Sequence, residues 1–230
     1  MSACAPQGQP KAYSEARRRS GNTVYETVAS NDQKRDTYRS ECSRYKRAMR
    51  GGFYLEALLI DYALIEDRLR SWLYHIGVIA ERKDTRACKK TKSQILEMMR
   101  ACGRQDVTSL RLSSVSGKLQ IVEATLKWHA ANDACPDASV FQSALWRQYD
   151  RALDCAGAEE TLRALPDWCE RRNEVVHGLM SKDLSLLEPQ LQPLCEEGFE
   201  LFRELDKDVR KVSKGHAVRR VLKLPTKNRQ

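Results

Sequence analysis

The stretch LEALLIDYALIEDRLRSWLYHI, residues 55–76, decides the fold. Within it Leu55, Leu58, Leu59, Tyr62, Ile65, Leu69, Trp72, Leu73 and Ile76 recur at three- and four-residue intervals, the period at which side chains share one face of an α-helix. The stripe lasts roughly six turns and predicts a long helix that must lie along a core. Gly51-Gly52 before it and Gly77 near its end bound the element.

Working outward, the same period returns. Ile95, Leu96, Met98, Met99 and Cys102 form a second run that stops at Gly103. Leu119, Val122, Leu126 and Trp128, with His129, mark a third. After a turn at Cys135-Pro136-Asp137, the residues Val140, Phe141, Ala144, Leu145, Tyr149 and Leu153 mark a fourth. Asn31 to Arg50 reads as a polar helix, and the residues before it have no sustained periodicity. Gly157 is expected to break the pattern. Asp167, followed three residues later by Glu170, then predicts an N-cap, so that Trp168 opens a short helix running to about Met180. A last helix from about Pro189 places Leu194, Leu201, Phe202, Leu205 and Val209 on one face. No stretch alternates with the period of a strand. The expectation is an all-α, antiparallel helical bundle spanning 51–209, with a basic extension at 1–50 and a basic tail at 210–230.

The formal charge of +9 sits at the two ends. From Val209 onward Arg210, Lys211, Lys214, Arg219, Arg220, Lys223, Lys227 and Arg229 have no acidic residue among them. Arg17, Arg18, Arg19 and the Arg44 to Arg50 stretch load the other end. With a pI near 9.2 such arms point to polyanions, nucleic acid first. The eight cysteines, Cys4, Cys42, Cys88, Cys102, Cys135, Cys155, Cys169 and Cys195, contain no C-x-x-C pair, which argues against structural zinc. There is no apolar leader and no run of the roughly 18 apolar residues a bilayer span needs. A cytoplasmic protein with reduced thiols and no membrane partner is expected.

Four histidines, at positions 75, 129, 177 and 216, limit where imidazole chemistry could reside. His177 stands out. On the helix expected from Trp168, Asn173 and His177 are four residues apart and share a face, so the Asn173 amide can orient the ring. Arg172 lies about 140° round the helix, within reach of a long guanidinium. Gly178 lets another backbone or a phosphate approach closely, and Trp168, Val175 and Leu179 would anchor the opposite side. Histidine moves protons near neutral pH, and arginine forks hydrogen bonds onto phosphate oxygens. These residue types suit metal-free cleavage of RNA, in which the 2'-OH attacks its own phosphate. By contrast His75, beside Trp72 and Leu73, reads as a packing residue despite Arg68 and Arg70 upstream, and His216 as solvated. Glu66 and Asp67 either face the motif or form the wet side of their helix, and Cys169 and Cys195 read as small buried residues.

Arg172-Asn173-Glu174-Val175-Val176-His177 resembles the signature of the HEPN superfamily, an Arg followed by a polar residue, often Asn, with His four to six positions after the Arg. The order of helices from Gly51 to Val209 is similar too: a long apolar helix early, the motif on a late helix, and one helix behind it. The resemblance implies an endoribonuclease of the kind found in bacterial toxins, abortive-infection proteins and CRISPR effectors. It implies a homodimer whose two-fold pairing unites two motifs, with Arg172 and His177 catalytic and Asn173 supporting. No metal and no cofactor is expected. Arg210, Lys211, Lys214, Arg219, Arg220 and Lys223 would hold the RNA. An unselective nuclease would need restraint, so an antitoxin protein or a regulatory RNA is an expected partner. A non-catalytic bundle that carries a structured RNA is the alternative, and a protein-interaction module a third.

Overall fold

The computed structural model describes residues 31–80, 86–132, 138–179, 184–215 and 217–224. The expectations for the first thirty residues, the turn at Cys135-Pro136-Asp137, a helix end at Met180, His216 and the last six residues fall outside these ranges. α1 spans Asn31–Arg50, α2 Tyr54–His75, α3 Arg86–Ala101, α4 Val115–Ala131, α5 Val140–Ala152, α6 Cys155–Gly178, α7 Leu184–Gly215 and a short α8 Ala217–Val221. No strand occurs among the described residues. The protein is all-α, as the periodicity requires.

α2 is the spine. Ala57, Leu58, Ile65, Leu69, Trp72 and Leu73 of the decisive stretch are fully buried, against α7 along most of its length and against α1 and α4 on its flanks. Arg44 pairs with Glu56 and Lys34 with Asp67, so α1 and α2 are antiparallel, as their three-residue connection dictates. On α7, however, Tyr54 Oη donates to Gln192 Oε1 at 3.0 Å, and Arg68 Nη1 to Asp206 Oδ1 at 3.0 Å. Both contacts advance in the same sense, so α2 and α7 run parallel and α3 to α6 form the return between them. α6 closes antiparallel onto α7: Trp168 Nε1 donates to Leu194 O at 2.9 Å, while Cys155 at the other end lies within electrostatic reach of Asp208.

Two boundaries differ from the sequence reading. α6 does not start at Trp168 and Gly157 does not break it. The helix is capped by Asp154, which accepts from the Gly157 N–H at 3.3 Å, and it runs through Pro166. A proline inside a helix costs about 3 kcal/mol. Leu162, Leu165 and Trp168, spaced to bury on one side of that continuous helix, each gain about 1.5–3 kcal/mol from burial, which outweighs it. Pro166 itself is exposed, where water can solvate the carbonyl it leaves unpaired. Asp167, freed from capping, pairs instead with Arg171 at 2.8 Å.

At the other boundary α7 begins before Pro189 and continues six residues beyond Val209. Val212, Val218 and Leu224 bury as the chain folds back on itself. Gln148 of α5 holds the corner, its Nε2 donating to Val212 O at 2.9 Å and its Oε1 accepting from the Val218 N–H at 3.0 Å. A β-carbon at Gly215 would stand 2.8 Å from Gln148 Cγ, so only glycine admits the glutamine there. Residues 210–224 are therefore substantially part of the bundle.

Candidate functional site

The motif lies on the last turns of α6, held in place by Trp168 and Val175. The Trp168 indole seats against α7 over Gly198, where a β-carbon would come within 2.5 Å of Cζ2. That close approach fixes the rotation of α6. It brings Arg172 toward α2, where its guanidinium carbon stands 4.4 Å from the centre of the Tyr62 ring, a cation–π contact. Arg172 Nη1 donates to Asn173 Oδ1 at 3.1 Å, and Nε is buried without a partner. Arg172 is half-buried, whereas Asn173, Glu174 and His177 are exposed. Val176 and Leu179 are half-buried.

The three predicted residues are thus on one element and one end of the molecule, but not joined as expected. The Asn173 amide binds Arg172, and no hydrogen bond orients the His177 ring among the described residues. Helix geometry accounts for this: Arg172 leans sideways onto α2, while His177, 140° further round at about 100° per residue, stays in solvent.

The surroundings of Arg172 are weakly acidic. Burial raises the Tyr62 hydroxyl above its usual range, Glu66 and Cys169 add to this, and Arg172 opposes it. Burial pushes the Cys169 thiol up to about 11, again against Arg172, so it stays protonated. Neither flanking carboxylate pairs with Arg172. Glu66 accepts from Lys118 Nζ at 2.7 Å. Asp67 turns to α1 and binds Tyr38, Lys34 and Arg68. Burial would raise the Asp67 carboxyl, yet Lys34, Tyr38 and Arg68 together hold it at about 2.

The six tail bases divide. Arg219 is a correction: it is buried, its guanidinium stacked 3.7 Å from the Tyr74 ring centre and its Nη1 donating to Tyr74 O at 2.7 Å. It caps the C-terminus of α2 and is not available to a ligand. Arg210 pairs with Asp206 at 2.7 Å and Lys211 with Asp208 at 3.2 Å. Lys214, Arg220 and Lys223 are exposed. His75 is half-buried edge-on to Tyr74, and Cys195 is a buried thiol donating to Tyr54 O at 3.2 Å.

Three features escaped the sequence reading. Asp61 is fully buried with neither carboxylate oxygen bonded, and burial pushes its carboxyl up to about 9. Its position between Leu58 and Ile65 in the apolar stripe was the available signal. Cys155 Sγ lies 3.5 Å from His129 Nδ1; burial and the neighbouring acids Glu159, Asp154, Asp150 and Asp208 push that thiol up to about 11, which keeps it a poor nucleophile. The third is the basic ridge of α3. No group of three or more potential metal ligands occurs among the described residues, and none of their helices is long and apolar enough to cross a membrane.

No family model, no curated protein and no solved structure matches the chain.

Proposed function

We propose that this protein is a metal-independent endoribonuclease of the HEPN type, acting as a homodimer in bacterial defence or as a toxin. One observation carries the reading. Arg172 is a half-buried, permanently charged group held over Tyr62, with an unpaired buried Nε and no carboxylate among its partners. The other buried arginines reach an acceptor: Arg68 also leaves its Nε unpaired, but its terminal nitrogens meet Asp67 and Asp206, and Arg219 has the Tyr74 carbonyl. A guanidinium left in that state lacks an anion, and a phosphate diester supplies one beside an exposed histidine.

In the reaction the 2'-oxygen forms a bond to phosphorus and the bond to the 5'-oxygen breaks, giving a 2',3'-cyclic phosphate. His177 of one protomer takes the 2'-OH proton, and the partner subunit's His177 delivers a proton to the departing 5'-oxygen. Arg172 neutralises the charge that develops on the phosphate, with Asn173 fixing its fork. Pairing across the two-fold supplies the second histidine that a single chain does not bring to its own Arg172.

Incubation of the purified protein with labelled RNA in EDTA tests this. Cleavage to 2',3'-cyclic ends is expected, falling about 10²–10⁴-fold in His177→Ala and about 10²-fold or more in Arg172→Ala. Cleavage that survives both changes, or that EDTA abolishes, overturns it.

The bond from Arg172 to Asn173 favours a second reading, because it leaves the imidazole unoriented. In that reading the bundle carries a structured RNA without cutting it. Tight RNA binding with no cleavage by any form would select it. As a nuclease without base-reading parts, the protein would need an antitoxin or a regulatory RNA in its host. Expression of the wild type alone is expected to stop growth, while His177→Ala is tolerated.

A further inference from the structure

We propose that the exposed ridge of α3 is a phosphate-backbone site for RNA, separate from the Arg172 motif and from the basic C-terminus. At 100° per residue, Arg86, Lys89, Lys90, Ser93, Glu97 and Arg100 fall in one narrow arc, and all six are exposed. The opposite side, Cys88, Thr91, Ile95, Met98 and Met99, is buried. The ridge thus presents four bases and one acid along roughly 20 Å of helix.

Two features of this charge are unfavourable to the folded chain. The first turn of α3 has no acidic residue, so Arg86, Lys89 and Lys90 oppose the positive end of the helix dipole. None of these three has an ion-pair partner among the described residues. Four bases of α7, by contrast, are neutralised within the helix: Arg203 pairs with Glu200 at 2.9 Å, Lys207 with Glu204 at 2.5 Å, Arg210 with Asp206 and Lys211 with Asp208. Charge without an ion pair among the described residues, concentrated at the helix end where it is least stable, is what an external polyanion would relieve.

The polyanion is a nucleic acid rather than a membrane. An interfacial helix presents large apolar side chains beside its bases, but the apolar residues of α3 point into the core. The large apolar groups exposed among the described residues, Phe53, Leu59, Val140 and Val221, lie elsewhere in the chain. No aromatic side chain stands on the ridge to stack on a base, so binding is independent of sequence and sensitive to salt. The choice of RNA over DNA rests on the ribonuclease reading above.

The test uses the full-length protein and a labelled 2'-O-methyl RNA, which cannot be cut by 2'-OH attack, titrated over a salt series. Replacing Arg86, Lys89 and Lys90 by Gln is expected to weaken binding about tenfold to hundredfold near 0.1 M salt and to flatten the salt dependence by about two counterions. A control with Lys214, Arg220 and Lys223 replaced by Gln should change both less, and thermal melts of both variants should match the wild type. Unchanged affinity and salt slope in the α3 variant overturn the proposal. So does an absence of RNA binding by the wild type, and binding to phosphatidylserine vesicles instead would identify a membrane as the partner. If α3 governs binding but unmodified RNA is never cut, the nuclease reading alone falls. If Arg172 and His177 govern cleavage while α3 is irrelevant to binding, this proposal alone falls.

Discussion

The α3 ridge and the C-terminal run from Arg210 to Lys223 are both dense in lysine and arginine, yet the fold employs them differently. At the C-terminus half of the charge is absorbed, while Lys214, Arg220 and Lys223 stay exposed. Arg210 and Lys211 pair along α7, Arg219 is sealed against Tyr74, and Asp206 also receives Arg68 from α2. On α3, Arg86, Lys89 and Lys90 are exposed and have no ion pair among the described residues. Basic composition alone therefore says little about where a polyanion would bind; the local supply of carboxylates and the burial of each base decide it.

The contrast can be broken most directly at Arg68. Arg68→Ala would remove the buried guanidinium that joins Asp67 to Asp206, leaving Asp67 to Lys34 and Tyr38 and Asp206 to Arg210, and losing a buried ion-pair partner of this kind costs about 3 kcal/mol. Arg86→Ala should lie within about 0.5 kcal/mol of the wild type. Urea unfolding of the two variants makes the comparison, and similar small losses in both would mean that the charge of α7 is as dispensable as that of α3.

An acid sharpens the comparison next. Asp206 is paired, whereas Asp61 has no hydrogen-bond partner among the described residues, and Cys42, Tyr45 and Cys195 around it supply no positive charge. Its folded value of about 9 is above the unfolded value, so the native state binds the extra proton and stability falls as pH rises between about 4 and 9. From pH 5 to pH 8 the wild type should lose about 2–4 kcal/mol from this group. Asp61→Asn should not show that slope and should be the more stable form at pH 8. Parallel pH profiles for the two proteins would contradict the assignment.

Smaller effects follow at the C-terminus. Arg219→Ala removes a charged hydrogen bond to the Tyr74 carbonyl and a stacked cation, for a loss of about 2–3 kcal/mol in thermal or urea unfolding. Arg210→Ala, on an exposed i,i+4 pair, should cost no more than about 0.5 kcal/mol. Equal effects at 210 and 219 would mean that Arg219 is no more structural than its neighbour.

Much of the architecture was legible in the chain. Of the stripe from Leu55 to Ile76, Leu58, Ile65, Leu69, Trp72, Leu73 and Ile76 are buried and Leu59 is exposed, and Gly103 and the run from Val140 to Leu153 closed or marked helices as expected. Where the reading failed, the local signal was sound but a distant partner overrode it. Asp167 and Pro166 look like a helix start, and only the burial of Leu162, Leu165 and Trp168 against the rest of the bundle explains the unbroken helix. The motif residues were found, but Asn173 was assigned to His177 by spacing, and the pull of Tyr62 on Arg172 redirected it. That pull comes from α2, more than a hundred residues away in the chain.

The sequence by itself determined that the protein is helical, where most helices lie and which faces are apolar, because these depend on neighbours three and four residues apart. Only the tertiary structure decided that α2 and α7 run parallel, that Asp61 is buried, that Arg219 is structural and that Arg86, Lys89 and Lys90 have no ion pair among the described residues. Each of those facts turns on groups brought together from remote parts of the chain, as when Arg68 meets Asp206 across 138 residues. Burial and pairing, unlike periodicity, are properties of the packed chain and have no value until it is folded.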